Sequence, residues 1–183
     1  MSKHITTFKG WADTFRVDLE ALKAVVESSS AAADARKLCA GSLLYLVMRL
    51  DLVPDHEQGI GVLDDVMVMR TCAALASSHD LGTLPAAAEV ALGRMANEAD
   101  QVATFLGASV ADKFKAYCSK LAETTVRGKS AATVIADAAV RAALYQDIDD
   151  EAKKSVPVII TDAADAELRL RSYFEHKLGK GAS

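Results

Sequence analysis

The amino-acid sequence predicts an all-α protein, a single domain over residues 1–183 that forms a bundle of about six to seven helices. About one residue in five is Ala, which is the best helix former. Apolar residues recur three and four positions apart in almost every stretch, which is the spacing of one helix face. The chain has only three prolines and ten glycines, and a hydrophobic fraction of 51% is enough for a sizeable core.

Two helices are predicted before Pro54. The first covers about residues 8–26, because a single apolar stripe follows helical spacing there. Its members are Phe8, Trp11, Phe15, Leu19, Leu22 and Val26. The second helix covers about residues 31–52 and has a core face of Leu38, Leu43, Val47 and Leu50. Pro54 ends it, because a proline lacks the backbone N–H and the residue before it avoids the helical region.

Three more helices are predicted in the middle of the chain. The third begins after Gly61 and ends near His79. Pro85 suits the first turn of the fourth, where its missing N–H would have no partner in any case. Ser109 is predicted to cap the fifth, because a serine hydroxyl can accept a hydrogen bond from an N–H of the first turn.

The last third of the chain is also predicted to be helical. Ser130 caps a sixth helix that continues without a break to about residue 152, and Asp162 caps a seventh. The segment 156–160 is the only stretch with β-like composition. It has no second strand to pair with, so we expect an extended connector that lies on the core. A frayed tail is predicted from about residue 179.

Composition and charge exclude several functions. The formal net charge of −4 and the scattered lysines and arginines argue against nucleic-acid binding, which needs clustered positive charge. The most apolar stretch, residues 38–53, is interrupted by Arg49 and Asp51, so no transmembrane segment is predicted. The first residues do not resemble a signal peptide. We therefore expect a soluble, cytoplasmic protein.

The three cysteines are predicted to be structural. Cys39, Cys72 and Cys118 are an odd number, none belongs to a CxxC motif, and each has apolar neighbours. Such residues usually behave as small buried hydrophobic groups in a reducing compartment.

One segment, residues 51–66, carries a recognisable pattern. It reads as a helix end, a Pro-Asp turn, a short loop with two glycines and a helix start. Its first element is Asp51-Leu52-Val53-Pro54-Asp55, and its second is Gly61-Val62-Leu63-Asp64-Asp65. This pair of elements resembles the motif of the DUF1232 family, also called YkvA-like, over a helical hairpin at about residues 40–75.

The resemblance implies a helical fold but no particular reaction. The family has no established biochemical activity, and many of its members are predicted to be membrane-associated. The chain departs from the family in the middle of the motif, where polar residues 56–59 replace the usual apolar loop with its proline. For this loop, the resemblance therefore gives little support to contact with a membrane surface or an apolar partner.

Two interpretations of the acidic residues stay open. In the first, Asp51, Asp55, Asp64 and Asp65 converge on a divalent cation, since hard cations bind several carboxylate oxygens. His56 could add an imidazole, although the spacing is not that of an EF-hand loop.

The second interpretation is structural, and the sequence favours it. Asp51 and Asp55 would accept backbone N–H groups in the turn, and Asp64 or Asp65 would cap the third helix. Arg49 or Arg70 would pair with one of these acids. Acidic residues are common at helix starts without any ligand.

The function predicted from these patterns is non-enzymatic binding of a protein partner or of a second copy of the chain. The four histidines lie far apart and no catalytic motif is present, so neither catalytic residues nor a cofactor are predicted. An exposed apolar patch on the first or seventh helix would support this hypothesis. The alternatives are a metal-dependent hydrolase-type enzyme that uses the four aspartates and a peripheral membrane protein.

Overall fold

The computed structural model describes residues 3–48, 51–154 and 158–179, with the side chain of Lys154 left out. The described residues form nine α-helices and one two-stranded antiparallel hairpin. The helices are α1 Lys3–Asp13, α2 Phe15–Glu27, α3 Ala33–Tyr45, α4 Leu63–Ala76, α5 Ala86–Leu106, α6 Ala108–Leu121, α7 Ala131–Ala136, α8 Ala138–Lys154 and α9 Ala163–Gly179. The strands are β1 Thr125–Val126 and β2 Lys129–Ser130. The all-α class is confirmed, but the helix count is nine rather than six to seven.

The predicted first helix is two helices, α1 and α2, that meet at Thr14. The Thr14 hydroxyl lies 3.0 Å from the carbonyl oxygen of Trp11 and 2.8 Å from the carboxylate of Asp18. A threonine side chain that bonds locally competes with the helical backbone pattern. The break turns the apolar stripe, so that Phe8 belongs to one hydrophobic cluster and Leu22 to the other.

The predicted sixth helix is also divided, into α7 and α8, at Asp137. The backbone of Asp137 is extended, and its carboxylate accepts hydrogen bonds from the N–H groups of Ala139 and Val140 at 2.8 and 3.2 Å. Asp137 therefore caps a new helix instead of continuing the old one. The predicted cap at Ser130 is confirmed, because its hydroxyl accepts the N–H of Thr133 at 3.2 Å.

Other predicted boundaries move by a few residues. The second predicted helix ends at Tyr45 and not near residue 52, since Met48 donates to the Tyr45 carbonyl in a tighter three-residue turn. Gly107 and not Ser109 precedes α6. The Asp162 carboxylate accepts two N–H groups of α9, at 2.9 and 3.1 Å, as predicted.

The predicted connector at residues 156–160 and the predicted tail lie only partly within the described residues. Residues 158–160 have no regular secondary structure, and residues 156 and 157 lie outside the described part. Gly179 is the last residue of α9, and the predicted tail beyond it lies outside the described part as well. The β1–β2 hairpin was not predicted.

Helix α4 lies at the centre of the molecule. It packs against α1, α3, α5 and α6, and it is buried on nearly every side. A helix that is apolar all round is typical of such a central position. The crossing of α3 and α6 is close at Gly41, where an added Cβ would lie 2.6 Å from the carbonyl carbon of Leu121. The three cysteines are buried free thiols, as predicted.

A buried ionic cluster joins α2, α4 and α5. The guanidinium of fully buried Arg70 donates to the carboxylates of Asp18 at 3.1 Å and Glu98 at 2.8 Å. Arg94 pairs with the same two acids. The ring centre of Trp11 lies 4.3 Å from the Arg70 guanidinium carbon. Each buried charge thus has an opposite charge beside it, which is the condition under which buried ions are tolerated.

Candidate functional site

The α3–α4 connection folds back through a series of tight turns. The N–H groups of Glu57, Gly61 and Leu63 donate to backbone carbonyls within the connection, at 2.9 to 3.0 Å. Gly61 is required there, because an added Cβ would lie 2.6 Å from the carbonyl oxygen of Asp55. These turns bring the end of α3, residues 51–55 and the first turn of α4 to one place.

Asp64 holds the two arms of this hairpin together. Its Oδ2 accepts a hydrogen bond from the Tyr45 hydroxyl at 2.5 Å and from the Val53 N–H at 3.0 Å. The Tyr45 oxygen in turn accepts the N–H of Leu52 at 2.9 Å. Asp64 is fully buried and its Oδ1 has no hydrogen-bond partner in the described part of the chain. Burial raises the pKa of Asp64 to about 7, although these two hydrogen bonds favour the charged form.

Asp51 is the second buried acid of the hairpin. The residue is 8% exposed, and its Oδ1 also has no hydrogen-bond partner within the described residues. Burial, followed by the negative charges of Asp64 and Asp55, raises the pKa of Asp51 to about 8. The carboxyl group of Asp51 is therefore mainly protonated at neutral pH.

The other two predicted residues lie close by. Asp65 is half-buried, and its pKa is raised by burial and then by the charges of Asp64, Asp51 and Asp55. Asp55 is exposed, and partial desolvation and the charge of Glu151 raise its pKa. The structure therefore does bring together the four aspartates that the sequence singled out.

An open pocket of about 440 Å³ lies beside this hairpin. Its acidic lining residues are Asp51, Asp55 and Glu151, and its basic residue is Arg127. The Arg127 guanidinium lies 3.2 Å from the Glu151 carboxylate. His56 and the apolar residues Leu46, Val47, Met48 and Pro54 complete the lining. Three carboxyl groups and one guanidinium give the lining an acidic composition, and one of the three, Asp51, is mainly uncharged at neutral pH.

Neither Asp64 nor Asp65 occupies the cap position of α4. Val62 precedes α4, and no side chain caps the helix there. Asp64 points back across the hairpin instead, and this contact could not be read from its position in the first turn. Arg70 pairs with the ionic cluster and not with Asp64 or Asp65. The other predicted cation, Arg49, lies outside the described residues.

The metal hypothesis finds no ready-made coordination site. Within residues 3–48, 51–154 and 158–179, no three His, Cys, Asp or Glu side chains are placed to hold one metal ion together. Proximity is enough for the aspartates to raise one another's pKa, but a cation such as Ca²⁺ needs six to eight oxygens at about 2.3–2.6 Å.

Sequence reasoning missed three residues of this site. Tyr45 lies within the predicted second helix, and its position before an acidic turn is a signal for a hydrogen bond to a carboxylate. Glu151 belongs to an acidic run, residues 147–151, that the sequence alone does not connect with the hairpin. Arg127 is placed by the unpredicted β1–β2 turn, in which Arg127 and Gly128 have φ of 48° and 77°. No local pattern placed these two residues beside Asp51.

The polar loop that departs from the family pattern anchors α9. The Glu57 carboxylate accepts a hydrogen bond from the Tyr173 hydroxyl at 2.5 Å and pairs with Arg169. An added Cβ at Gly59 would lie 2.7 Å from the carbonyl oxygen of Ile159. The loop is therefore used to hold the chain's own last helix.

The exposed large hydrophobic side chains lie on four different elements. Within the described residues, the large hydrophobic side chains that are exposed are Val17, Val90, Ile159 and Leu168. They lie on α2, α5, the connector and α9, one on each element. Single exposed apolar residues are normal for a protein surface.

Comparison with known proteins supports the resemblance over one segment. Residues 35–69, about a fifth of the chain, match the model of a family described as "Protein of unknown function (DUF1232)". No curated protein and no solved structure matches the chain. In the part of the chain that the structure describes, no helix is long and apolar enough to span a membrane.

Proposed function

We propose that this chain is a non-enzymatic binding module that engages a protein partner at the acidic pocket beside the α3–α4 hairpin. One observation carries the proposal: Asp51 lines the pocket and is 8% exposed, and one of its carboxyl oxygens is closed to solvent and has no hydrogen-bond partner among the described residues. Buried polar groups nearly always have partners, and each exception calls for an explanation. A partner at the pocket would supply one by drawing the carboxyl toward the pocket, because this oxygen is closed to solvent in the free chain.

The described lining of the pocket lacks a hydroxyl or thiol nucleophile. It holds carboxyl groups, one guanidinium and one imidazole, but no serine or cysteine that could act as a nucleophile. The three cysteines are buried in the core. Burial raises the pKa of the thiols of Cys39 and Cys118, which makes them poor nucleophiles.

Selection from a displayed peptide library tests the proposal. The immobilised full chain would be compared with Asp51→Asn, with Asp55→Asn, and with Asp34→Asn as a control at an exposed acid of α3. We expect the native chain and Asp34→Asn to enrich the same peptide motif, and the two pocket variants to lose it. Failure to enrich a motif, or a motif that the pocket variants retain, would contradict the proposal.

Two further measurements separate the alternatives. Light scattering over a concentration series shows whether a second copy of the chain is itself the partner. Calorimetric titration with Mg²⁺, Ca²⁺, Mn²⁺ and Zn²⁺ tests the metal-dependent enzyme. Saturable heat that disappears in Asp64→Asn/Asp65→Asn would favour that enzyme over the binding module.

A further inference from the structure

We infer that α9 is a strap: it opens as a unit while the rest of the fold stays intact, and the apolar surface beneath it then accepts an amphipathic helix of a partner protein. This surface is distinct from the acidic pocket, so the proposed function and the strap can fail separately.

Helix α9 is held by a small part of its surface. Four of its 17 residues are buried, whereas 11 of the 14 residues of α4 are buried. The buried residues of α9 recur every four positions and form a single stripe, which consists of Ala166, Leu170, Phe174 and Leu178. Elements with few buried apolar contacts open at a lower free energy than the core of the same protein. We therefore expect α9 to open before α4.

A polar latch at the α3–α4 connection adds to this packing. Glu57 accepts a hydrogen bond from the Tyr173 hydroxyl at 2.5 Å and pairs with Arg169. The side chains of Glu57 and Arg169 are 22% and 35% exposed, so water can take the place of either partner when the latch breaks. Ion pairs that water can reach contribute little to stability, so the latch orients α9 without fixing it in place.

The surface beneath α9 is already shaped for a helix. Helix α9 packs on α1 and α6, and the rings of Phe174 and Phe114 meet edge to face with centres 5.2 Å apart. The Arg171 guanidinium carbon lies 4.6 Å from the centre of the Phe105 ring near the end of α5. Phe105, Phe114 and Phe174 belong to the same hydrophobic cluster, so removal of α9 uncovers apolar surface.

The side chains of α9 define which helix would fit in its place. Amphipathic helices dock in apolar grooves through residues that share one helix face. Apolar residues four positions apart would replace Leu170 and Phe174, and an arginine or a tyrosine beside them would reach Glu57. We therefore expect the partner to present a helix with this combination of apolar and donor groups.

Native-state hydrogen exchange of the full chain tests the opening of the strap. The amides of α9 should exchange about tenfold faster than those of α4, or more, and with a smaller dependence on urea, because α9 opens without global unfolding. If α9 and α4 exchanged only through one common global opening, the inference would be overturned. This measurement needs no substitution, so it does not depend on how a variant folds.

A labelled peptide with the sequence of residues 158–179 tests the surface beneath the strap by fluorescence anisotropy. Arg169→Gln/Tyr173→Phe in the full chain loosens its own α9 and leaves Glu57 free for the peptide. Lys153→Gln, at an exposed ion pair of α8, is the matched control. The double variant should bind the peptide about threefold more tightly than the native chain and the control, or more, because a larger fraction of it is open.

The pattern of the peptide supplies a further control. A peptide with Leu170→Ala/Phe174→Ala should not bind, because it lacks the apolar stripe. Absence of saturable binding to the double variant, or equal affinity for the double variant and the native chain, would overturn the inference. Light scattering that shows concentration-dependent dimers of the double variant would also overturn it, because α9 of a second copy would then be the occupant.

Discussion

The pH dependence of stability follows directly from the burial of Asp51. The folded chain holds its proton up to a pKa of about 8, whereas the carboxyl in the unfolded chain has its ordinary value of 3.8. Above pH 3.8 the folded state therefore binds more protons than the unfolded state, and the free energy of unfolding falls as pH rises. The stabilisation is complete below pH 3.8 and is lost by about pH 8.

The expected size of the effect can be worked out for an accessible pH range. One pKa unit corresponds to 1.36 kcal/mol, and between pH 6 and pH 8 a group with this pKa loses about 2 kcal/mol of stabilisation. Urea unfolding of the full chain at pH 6, 7 and 8 measures it.

Asp51→Asn is the matched control, because it removes this titration and keeps the shape of the side chain. We expect the variant to lose about 2 kcal/mol less than the native chain between pH 6 and pH 8. If the native chain and the variant changed equally across this range, the reasoning about a buried, protonated Asp51 would be refuted.

Three other predictions concern the hairpin and its surroundings. Tyr45→Phe removes the hydroxyl that donates to buried Asp64, so we expect urea unfolding to show a loss of about 1–3 kcal/mol, and a loss near zero would contradict the role of this bond. Gly41→Ala should destabilise the folded chain by about 1–3 kcal/mol, because the added Cβ would meet the backbone at the end of α6. Gly93→Ala, at an exposed position of α5 with open space around it, should stabilise the folded chain by up to about 1 kcal/mol. Thermal melts in which Gly41→Ala is more stable than Gly93→Ala would be inconsistent with the close crossing of α3 and α6. Glu57→Ala should raise amide hydrogen exchange in α9 more than in α4, because Glu57 bonds to Tyr173. If α9 exchanged at the same rate in the variant and in the native chain, the anchoring role of Glu57 would be contradicted.

Much of the fold could be predicted because helix signals are local. The apolar spacing located most of the helices, and the caps at Ser130 and Asp162 were read from single residues. Thr14 and Asp137 were missed as breaks, because each break depends on hydrogen bonds between one side chain and groups two to four residues away. Apolar spacing alone does not reveal a helix break when the apolar residues on both sides of the break remain buried.

The candidate site could be predicted only in part, because it combines local and distant residues. The motif placed the four aspartates near one another, and in the structure their charges raise the pKa values of Asp51 and Asp65. Their contacts depend on tertiary structure: Tyr45 reaches Asp64 across the hairpin, and Glu151 arrives from α8. The sequence predicts neither the Asp51 carboxyl oxygen that has no hydrogen-bond partner among the described residues nor the pocket beside it.

Carbon-13 NMR of the Asp51 carboxyl group, followed in the full chain at pH 7, tests the central claim most directly. The chemical shift reports whether this carboxyl is protonated. We expect a carboxyl that is mainly protonated at pH 7 and that ionises as the pH is raised through about 8. A carboxyl that is already ionised at pH 7 would contradict the account.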